Sequence, residues 1–428
     1  MPVAAHAVSA GLGFGPADVE DRLEDLVEQS MLAVEPGRFG RRFRLLETMR
    51  EFGAGQLAQS GTAEHVVGRH AQWCLDQVAR IHQQLVGPAE AEGVARLGEL
   101  WPNLRLAVDR ACDAGDHLLA DALVRPVAAE VTLRRQSEIG DWSERILTIT
   151  PAVDVQRVVF WLTWATHRYM HSGDRDGYES VVVRYGHREH PLLRYTHAYL
   201  YDDGAALSAD SPAAVAELRR MGEPHLAALI ELAGVASGLM STGQLTAFDA
   251  LVSGLADRYR ADGPPTLLHL TLVGLGYSAM FQGRTQEADD MFEELSRVAV
   301  PERTFVVSRP IEARAAFRRG DPTRAFEILR AHVDDLLQTD VMDVARLAAL
   351  EFVTMMAAQD RLADAGPVLP YLEATGGFGE LAARTMSQDA DAAPGPATSP
   401  GSVLLGSHAD ARGALLHMRD ILTGPVTG

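Results

Sequence analysis

Two pairs of histidines have the residue type and the spacing to bind a metal ion. His167 and His171 stand four residues apart, so on a helix both would lie on one face. His187 and His190 form a second close pair. Neither pair is accompanied by the further cysteine, histidine or glutamate ligands that a metal site needs. We therefore predict no metal site and interpret these histidines as polar residues of the surface or of a groove.

A glycine-rich segment near the N-terminus has the composition of a phosphate-binding loop. It reads Gly11-Leu12-Gly13-Phe14-Gly15, but it lacks the Lys-Ser/Thr ending and follows no clear buried strand. All 39 basic residues of the chain are arginine, so no lysine is available as a phosphate ligand, a Schiff base or a general base. No Gly-x-Ser-x-Gly nucleophile elbow is present either. We expect an ordinary loop here, no cofactor, and a protein that is not an enzyme.

A third group is a run of arginines between Gly37 and Arg50. This stretch contains five arginines and only one acidic residue, Glu47. Four of them are candidates for contact with DNA phosphates or with another protein domain: Arg38, Arg41, Arg42 and Arg44. The formal net charge of the whole chain is −19, which repels nucleic acid. We therefore favour a contact with a partner domain, or simple exposure to solvent, over direct binding to DNA.

The elements around these arginines follow from local patterns. A helix starts at Pro16, with Val19, Leu23 and Leu26 on one face. Residues 30–34 and 41–45 are two short predicted strands joined by a turn at Pro36-Gly37, and residues 47–57 begin another helix. Helix, strand, turn, strand is the order of the back half of a winged helix.

Five stretches of the sequence carry a resemblance to one family. They are Leu26-Val27-Glu28-Gln29-Ser30-Met31-Leu32, the run from Arg42 to Phe52, Arg69-His70-Ala71-Gln72-Trp73, the run from Trp101 to Ala107, and Gly140-Asp141-Trp142. These stretches resemble large actinobacterial transcriptional regulators, the STAND-type (NB-ARC) ATPases related to LuxR-type regulators. In that family a winged helix ends the nucleotide-binding module and is followed by tetratricopeptide repeats. The resemblance implies that the ATPase lies upstream of Met1 and that this chain is the sensor half of such a regulator.

From about residue 151 the pattern becomes repetitive. Gly283-Arg284 precedes a helix with Ala288 and Phe292 on one face, and Leu275-Gly276 stands where a tetratricopeptide repeat carries its Leu-Gly pair. Gly320-Asp321 precedes a similar helix, for which Asp321 is a suitable N-cap. Looser copies of the turn are predicted at Gly173-Asp174, Ala209-Asp210, Gly243-Gln244 and Gln359-Asp360, at spacings of 34 to 40 residues. Such units stack and bury their faces against one another, which predicts a superhelix with a concave groove; an irregular helical bundle is the alternative.

Together these patterns predict an all-α fold: a tetratricopeptide-like helical-repeat superhelix with a small partial winged helix at its N-terminus. The predicted domains are a winged-helix remnant at 1–60, a helical connector at 61–150, repeats at 151–385, and a flexible linker with a short helix at 386–428. That last helix could cap the repeats or form a loose tail. Cys74 and Cys112 fit neither a disulfide framework nor a zinc site. No apolar run of about 18 residues and no signal peptide is recognised, so we expect a cytoplasmic location.

The predicted function is that of a non-enzymatic regulatory or scaffold protein that binds a protein, peptide or small ligand in the groove of its repeats. An ATPase module encoded upstream is a second expected partner, and no membrane contact is expected. The alternative is a transcriptional regulator that binds DNA directly through Arg38, Arg41, Arg42 and Arg44 of the winged-helix remnant.

Overall fold

A computed structural model describes residues 3–9, 12–134, 137–201, 203–301, 309–339, 342, 344–374 and 408–423. The chain divides into two compact units, Met1–Ala128 (unit 1) and Ala129–Gly428 (unit 2). The described part is almost entirely helical and contains one two-stranded sheet. The predicted fold class, an all-α repeat protein with a small β element near the N-terminus, is therefore confirmed. The division between the units falls inside the predicted 61–150 connector, and the four-part domain scheme stays a prediction.

Unit 1 begins with an element that the sequence analysis did not anticipate, a short helix that packs on α4 and α2. The guanidinium Nε of Arg69 donates to the carbonyl of Ala7 at 3.1 Å and fixes this helix on α4. The order that follows, helix, strand, strand, helix, agrees with the prediction. The elements of unit 1 are α1 (Val3–Ser9), α2 (Pro16–Glu28), β1 (Leu32–Gly37), β2 (Gly40–Leu45), α3 (Glu47–Gln59), α4 (Ala63–Leu85), α5 (Glu90–Asp113), α6 (His117–Val124) and a 3₁₀ turn (Arg125–Val127).

The core of unit 1 lies between the two long helices α4 and α5. Cys74 and Leu104 are fully buried there, and the thiol of Cys74 donates to the carbonyl of Asn103 at 3.7 Å. Burial raises the pKa of Cys74 to about 12. The α4–α5 pair follows from amphipathic runs whose apolar residues recur every three or four positions.

Unit 2 consists of antiparallel helix pairs. Its first half comprises α7 (Glu130–Leu133), α8 (Ser137–Ile149), α9 (Val155–Ser172), α10 (Arg175–Tyr185), α11 (Pro191–Leu200), α12 (Gly204–Arg220), α13 (Pro224–Ile230), a π-helical turn (Glu231–Ala236) and α14 (Ser237–Ser241). Its second half comprises α15 (Leu245–Asp262), α16 (Pro265–Phe281), α17 (Thr285–Leu295), α18 (Arg309–Arg318), α19 (Pro322–Thr339), α20 (Ala345–Ala358), a 3₁₀ turn (Leu362–Ala365), α21 (Leu369–Ala374) and α22 (His408–Thr423).

Most of the predicted repeat turns are present. Gly173, Gly243, Gly283 and Gly320 all have φ between +71° and +82°, the left-handed conformation that ends one helix before the next begins. The carboxylate of Asp321 accepts from the backbone N–H of Arg324 at 2.9 Å, so the predicted N-cap is confirmed.

The turn predicted at Ala209-Asp210 is wrong, because both residues lie inside α12. That helix starts earlier, where the carboxylate of Asp203 accepts from the N–H of Ala206 at 2.9 Å. Position 209 is an alanine and not a glycine, so it does not readily adopt the left-handed conformation of a turn. The side chain of Asp203, in contrast, caps the N-terminus of α12 and defines where the helix starts.

The Leu-Gly pair of the repeats has a clear packing role. The ring of Phe292 on α17 lies directly against Gly276 on α16, and a Cβ at position 276 would stand 2.1 Å from Cε1 of that ring. Phe292 also meets Tyr277 edge-on, with ring centroids 5.9 Å apart. Phe292 is half-buried rather than enclosed, so it contributes less to stability than a fully buried ring.

Several first helices of these pairs are largely buried. On α9 every residue from Val158 to His167 is buried. Most residues of α16 and α20 are buried as well, but Leu268, Leu270 and Gly274 of α16 and Thr354 of α20 are partly exposed. A helix that lined an open groove would leave one stripe exposed. The central stretch of α9 therefore presents no such stripe, and α16 and α20 have only a few partly exposed residues.

The C-terminal helix α22 packs on the last repeats. Leu415 and Met418 are fully buried in one core cluster with Leu329 of α19. His417 Nε2 is hydrogen bonded to the carbonyl of Asp364 at 2.7 Å. Of the two alternatives for this helix, capping the repeats is therefore correct. The predicted linker at 386–402 lies outside the described residues.

One segment departs from the expectation that no apolar run reaches membrane-spanning length. Pro224–Ser241, which comprises α13, the π-helical turn and α14, is 18 residues long and apolar enough by length and composition, and 44% of it is buried in the fold. It packs on α12 so closely that a Cβ at Gly238 would stand 2.5 Å from the backbone N of Ser208. The small residues of this segment are therefore explained by close helix–helix packing within unit 2.

Candidate functional site

Helix α2 and the β1–β2 hairpin enclose a surface groove in unit 1. The groove has a volume of about 580 Å³, within the range of ligand and peptide pockets. Its floor is apolar, whereas one rim carries the carboxylates of α2 and the other rim carries Arg41. The lining residues are Glu20, Leu23, Glu24, Val27, Glu28, Val34, Gly40, Arg41 and Phe43.

The strand register separates the four candidate arginines instead of clustering them. Arg41 stands opposite Pro36 and shares a face with Phe43, the face that lines the groove. Arg42 and Arg44 alternate to the other face, where Arg44 Nε pairs with Glu35 Oε1 at 3.1 Å. Arg38 lies in the two-residue turn between the strands. The four side chains do not form a single basic surface.

The tip of the hairpin is attached to α5. The backbone N–H of Arg38 donates to Glu99 Oε1 at 2.7 Å, and the guanidinium of Arg96 lies 4.1 Å from the ring centroid of Phe39. The hydrogen bond from Arg96 lowers the pKa of Glu92, with a smaller contribution from the charge of Arg38. A wing that contacts DNA would present its tip to the phosphates, and here the tip is engaged by the protein itself.

Helix α2 is strongly acidic. Its 13 residues carry six carboxylates and one arginine, Arg22. In a winged helix the helix before the hairpin is the one that enters the major groove. A local charge of about −5 at that position opposes contact with DNA phosphates.

The N-terminal segment is poorly buried. Among the described residues from 12 to 60, only Val19 and Leu32 are buried. Val34, Leu46 and Phe52 are large apolar residues whose exposed fractions are 42%, 48% and 64%. These three side chains therefore leave apolar surface of this segment exposed to solvent.

The histidine pairs have structural partners. His167 is buried, its Nδ1 is hydrogen bonded to the carbonyl of Thr163 at 2.7 Å, and its ring stacks on Trp164. His171 is also buried, and its Nε2 lies 3.3 Å from Thr132 Oγ1. The interpretation of this pair as surface or groove residues was wrong, because both side chains are buried. Searched over the described residues, the chain holds no group of three His, Cys, Asp or Glu that could bind a metal.

The second pair has a different role. His190 caps α11, with its Nδ1 accepting from the N–H of Leu192 at 3.3 Å, and it lies 3.6 Å from Glu217. Burial lowers the pKa of His190, which the charge of Glu217 only partly opposes. His187 occupies the turn before α11 with φ at +63°.

Sequence reasoning missed a buried polar cluster in unit 2. The hydroxyl of Tyr277 donates to Glu351 Oε1 at 3.1 Å, and Arg314 Nε lies 3.4 Å from Glu351 Oε2. Burial raises the pKa of Glu351, although Arg314 and Tyr277 act in the opposite direction. The available signal was a lone carboxylate within the apolar run of α20. The cluster joins α16, α18 and α20 and is enclosed, so we interpret it as a structural network.

Comparison with curated proteins finds similarity to three proteins provisionally named HTH-type transcriptional regulators. One is from Mycobacterium bovis and two are from strains of Mycobacterium tuberculosis; each is 35% identical over 96 residues. The matched stretch covers 21% of this chain and 11% of the length of each relative. No protein-family model and no solved structure matches the chain. The similarity therefore relates part of this chain to a small part of larger regulators.

Proposed function

We propose that this chain is the non-catalytic, helical-repeat part of a cytoplasmic transcriptional regulator and that it acts through contacts with other proteins. The observation that carries the proposal is the incomplete burial of the described residues from 12 to 60. Val34 exposes apolar surface in the α2–hairpin groove, and Leu46 and Phe52 expose apolar surface elsewhere in the same segment. The similarity to mycobacterial regulators supports the regulatory class. A surface of this composition is stabilised when a partner covers it.

In this proposal the partner of unit 1 is a nucleotide-binding module of the STAND type. In regulators of that class the module precedes a winged helix, and the order of elements in the α2–hairpin segment supports the same arrangement here. The chain itself lacks a phosphate-loop lysine, so nucleotide chemistry would reside in that module.

Unit 2 supplies the repeat scaffold, which we propose to be tetratricopeptide-like. The packing of Phe292 against Gly276 and the recurrent left-handed glycines at helix ends support this assignment. A protein, peptide or small ligand bound by the repeats would contact the ends of helices such as α9 and α16 or the exposed second helices, because the central stretch of α9 is enclosed and α16 is largely buried.

Direct DNA binding is the less favoured candidate. The arginines at 38, 41, 42 and 44 are distributed over the turn and both faces of the hairpin, and α2 is acidic. Counterion release, the main source of affinity for DNA, requires several cations aligned with the phosphates.

Amide hydrogen exchange tests the proposal. The chain is compared alone and fused to the sequence encoded immediately upstream, with the exchange of unit 2 as the internal control. We expect residues 12–60 to exchange rapidly in the isolated chain and to be protected at least tenfold in the fusion, while α15 and α16 remain unchanged. Equal exchange in both forms, an upstream sequence without a phosphate loop, or nucleotide turnover by the chain alone would each contradict the proposal.

A further inference from the structure

The α2–hairpin groove combines an apolar floor with a regularly spaced acidic rim. Leu23, Val27 and Phe43 provide half-buried apolar surface at its base. Glu20, Glu24 and Glu28 stand four residues apart on α2, so their carboxylates follow one another at intervals of about 6 Å. The rim is therefore a row of three negative charges beside an apolar stripe of about 12 Å.

These three carboxylates have no counter-charge of their own. Within the described part of the chain, Glu20, Glu24 and Glu28 form no ion pair and no side-chain hydrogen bond, whereas most acidic residues of unit 2 pair with arginine. Like charges four residues apart on a helix destabilise it by a few tenths of a kcal/mol per pair. The row is thus unfavourable for the isolated helix and becomes favourable when cations lie along it.

The charge pattern restricts what can occupy the groove. Nucleic acid and anionic lipid surfaces are repelled by the acidic rim. A second copy of the chain is disfavoured because each copy has a net charge of −19. A partner with basic residues beside an apolar stripe matches both the apolar floor and the acidic rim. Grooves that bind helices contact the apolar face of the helix and pair with charged residues at the edge of that face.

We propose that the α2–hairpin groove binds an amphipathic helix that carries arginine or lysine at four-residue intervals beside an apolar stripe. The apolar stripe lies on Leu23, Val27 and Phe43, and the basic residues pair with Glu20, Glu24 and Glu28. This inference deepens the proposed function by giving the chemistry of the docking partner, and it rests on that function only for the biological source of the helix.

Synthetic peptides and the full chain test the inference without the upstream module. A fluorescent 16-residue helix with a leucine stripe flanked by arginines at four-residue intervals is titrated by anisotropy. Two control peptides replace its arginines with glutamate or scramble the same composition. We expect saturable binding of the first peptide, at least tenfold weaker binding of both controls, and affinity that falls as salt rises.

Matched variants locate the binding. E20Q/E24Q/E28Q removes the rim charges, and D21N/D25N removes two charges from the same helix outside the groove. We expect the first variant to weaken binding at least tenfold and the second to change it less than twofold. Circular dichroism of both variants checks that α2 remains folded, and Val27→Ser tests the floor independently.

Three results would overturn the inference. One is the absence of saturable binding at 100 µM peptide, and another is equal weakening by the two carboxylate variants. The third is concentration-dependent self-association that E20Q/E24Q/E28Q alters, which would make a second copy the occupant. Failure here with protection in the hydrogen-exchange experiment would leave the proposed function standing, so the two can fail separately.

Discussion

The contact between Gly276 and Phe292 predicts that Gly276→Ala destabilises the chain when the ring is present and stabilises it when the ring is removed. A double-mutant cycle can measure this change of sign. Gly276 lies inside α16, where alanine is intrinsically better than glycine by up to about 1 kcal/mol. In the wild-type chain, however, a Cβ at 276 would stand 2.1 Å from Phe292 Cε1. Inserting volume into such a packed contact costs about 1–3 kcal/mol, so Gly276→Ala should be net destabilising by about 1–2 kcal/mol.

Removing the ring should reverse that effect. Phe292→Ala should cost about 2 kcal/mol, below the range for fully buried phenylalanine, because the ring is only half-buried. In the Phe292→Ala background the added Cβ meets no ring, so Gly276→Ala should stabilise the chain by up to about 1 kcal/mol. The expected coupling energy between the two positions is therefore about 2–3 kcal/mol.

Urea unfolding monitored by circular dichroism gives the four free energies of unfolding. Gly254→Ala is the matched control, because this glycine is exposed on the neighbouring helix α15 and a Cβ there meets nothing within 4 Å. That control should stabilise the chain in both backgrounds. If Gly276→Ala is equally stabilising with and without the ring, the packing of Phe292 against Gly276 is refuted.

The remaining predictions concern pH and DNA. Burial lowers the pKa of His332 and of His269 to about 4. The free energy of unfolding should therefore fall by up to about 3 kcal/mol for each histidine as the pH falls from 6.5 towards 4. Because His332→Leu removes one of these groups, the slope of the free energy of unfolding against pH, measured by urea unfolding at pH 5, should decrease by the equivalent of about one proton. An unchanged slope would contradict the burial of His332. The pKa of Glu351 is raised instead, so the folded chain binds this proton more readily than the unfolded chain and gains stability from it as the pH falls. Glu351→Gln removes that gain, so the free energy of unfolding should fall more steeply with acid. A shallower fall would refute the direction of the pKa shift. For duplex DNA, Arg41→Gln/Arg42→Gln should leave the weak anisotropy signal unchanged, whereas loss of sub-micromolar binding would favour the DNA-binding alternative.

The sequence predicted the elements of this fold where the local signals were strong. Pro16, the glycine at 283 and the side-chain cap of Asp321 each determine a helix boundary by local chemistry alone, and all three appear where expected. The error at Ala209-Asp210 arose from spacing, because the repeat period suggested a turn that the Asp203 cap placed earlier.

The candidate site was only partly predictable. The arginines were evident, but their distribution over two faces depends on the strand register, which a sequence with two short strands does not determine. The attachment of the hairpin tip to Glu99 joins residues 61 positions apart, and no local pattern indicates it. The burial of His167 and His171 likewise depends on tertiary packing around α9 rather than on their spacing.

The enclosure of Cys74 between α4 and α5 makes the thiol a natural reporter of local opening. With a pKa of about 12 and no exposed surface, this thiol is almost entirely protonated and inaccessible at neutral pH. A thiol reagent can therefore reach it only during moments when α4 and α5 separate. The rate of labelling at Cys74 then measures the free energy of that opening at this one position and without an added probe. Ligands that tighten unit 1 would slow the labelling, and ligands that loosen it would accelerate the reaction.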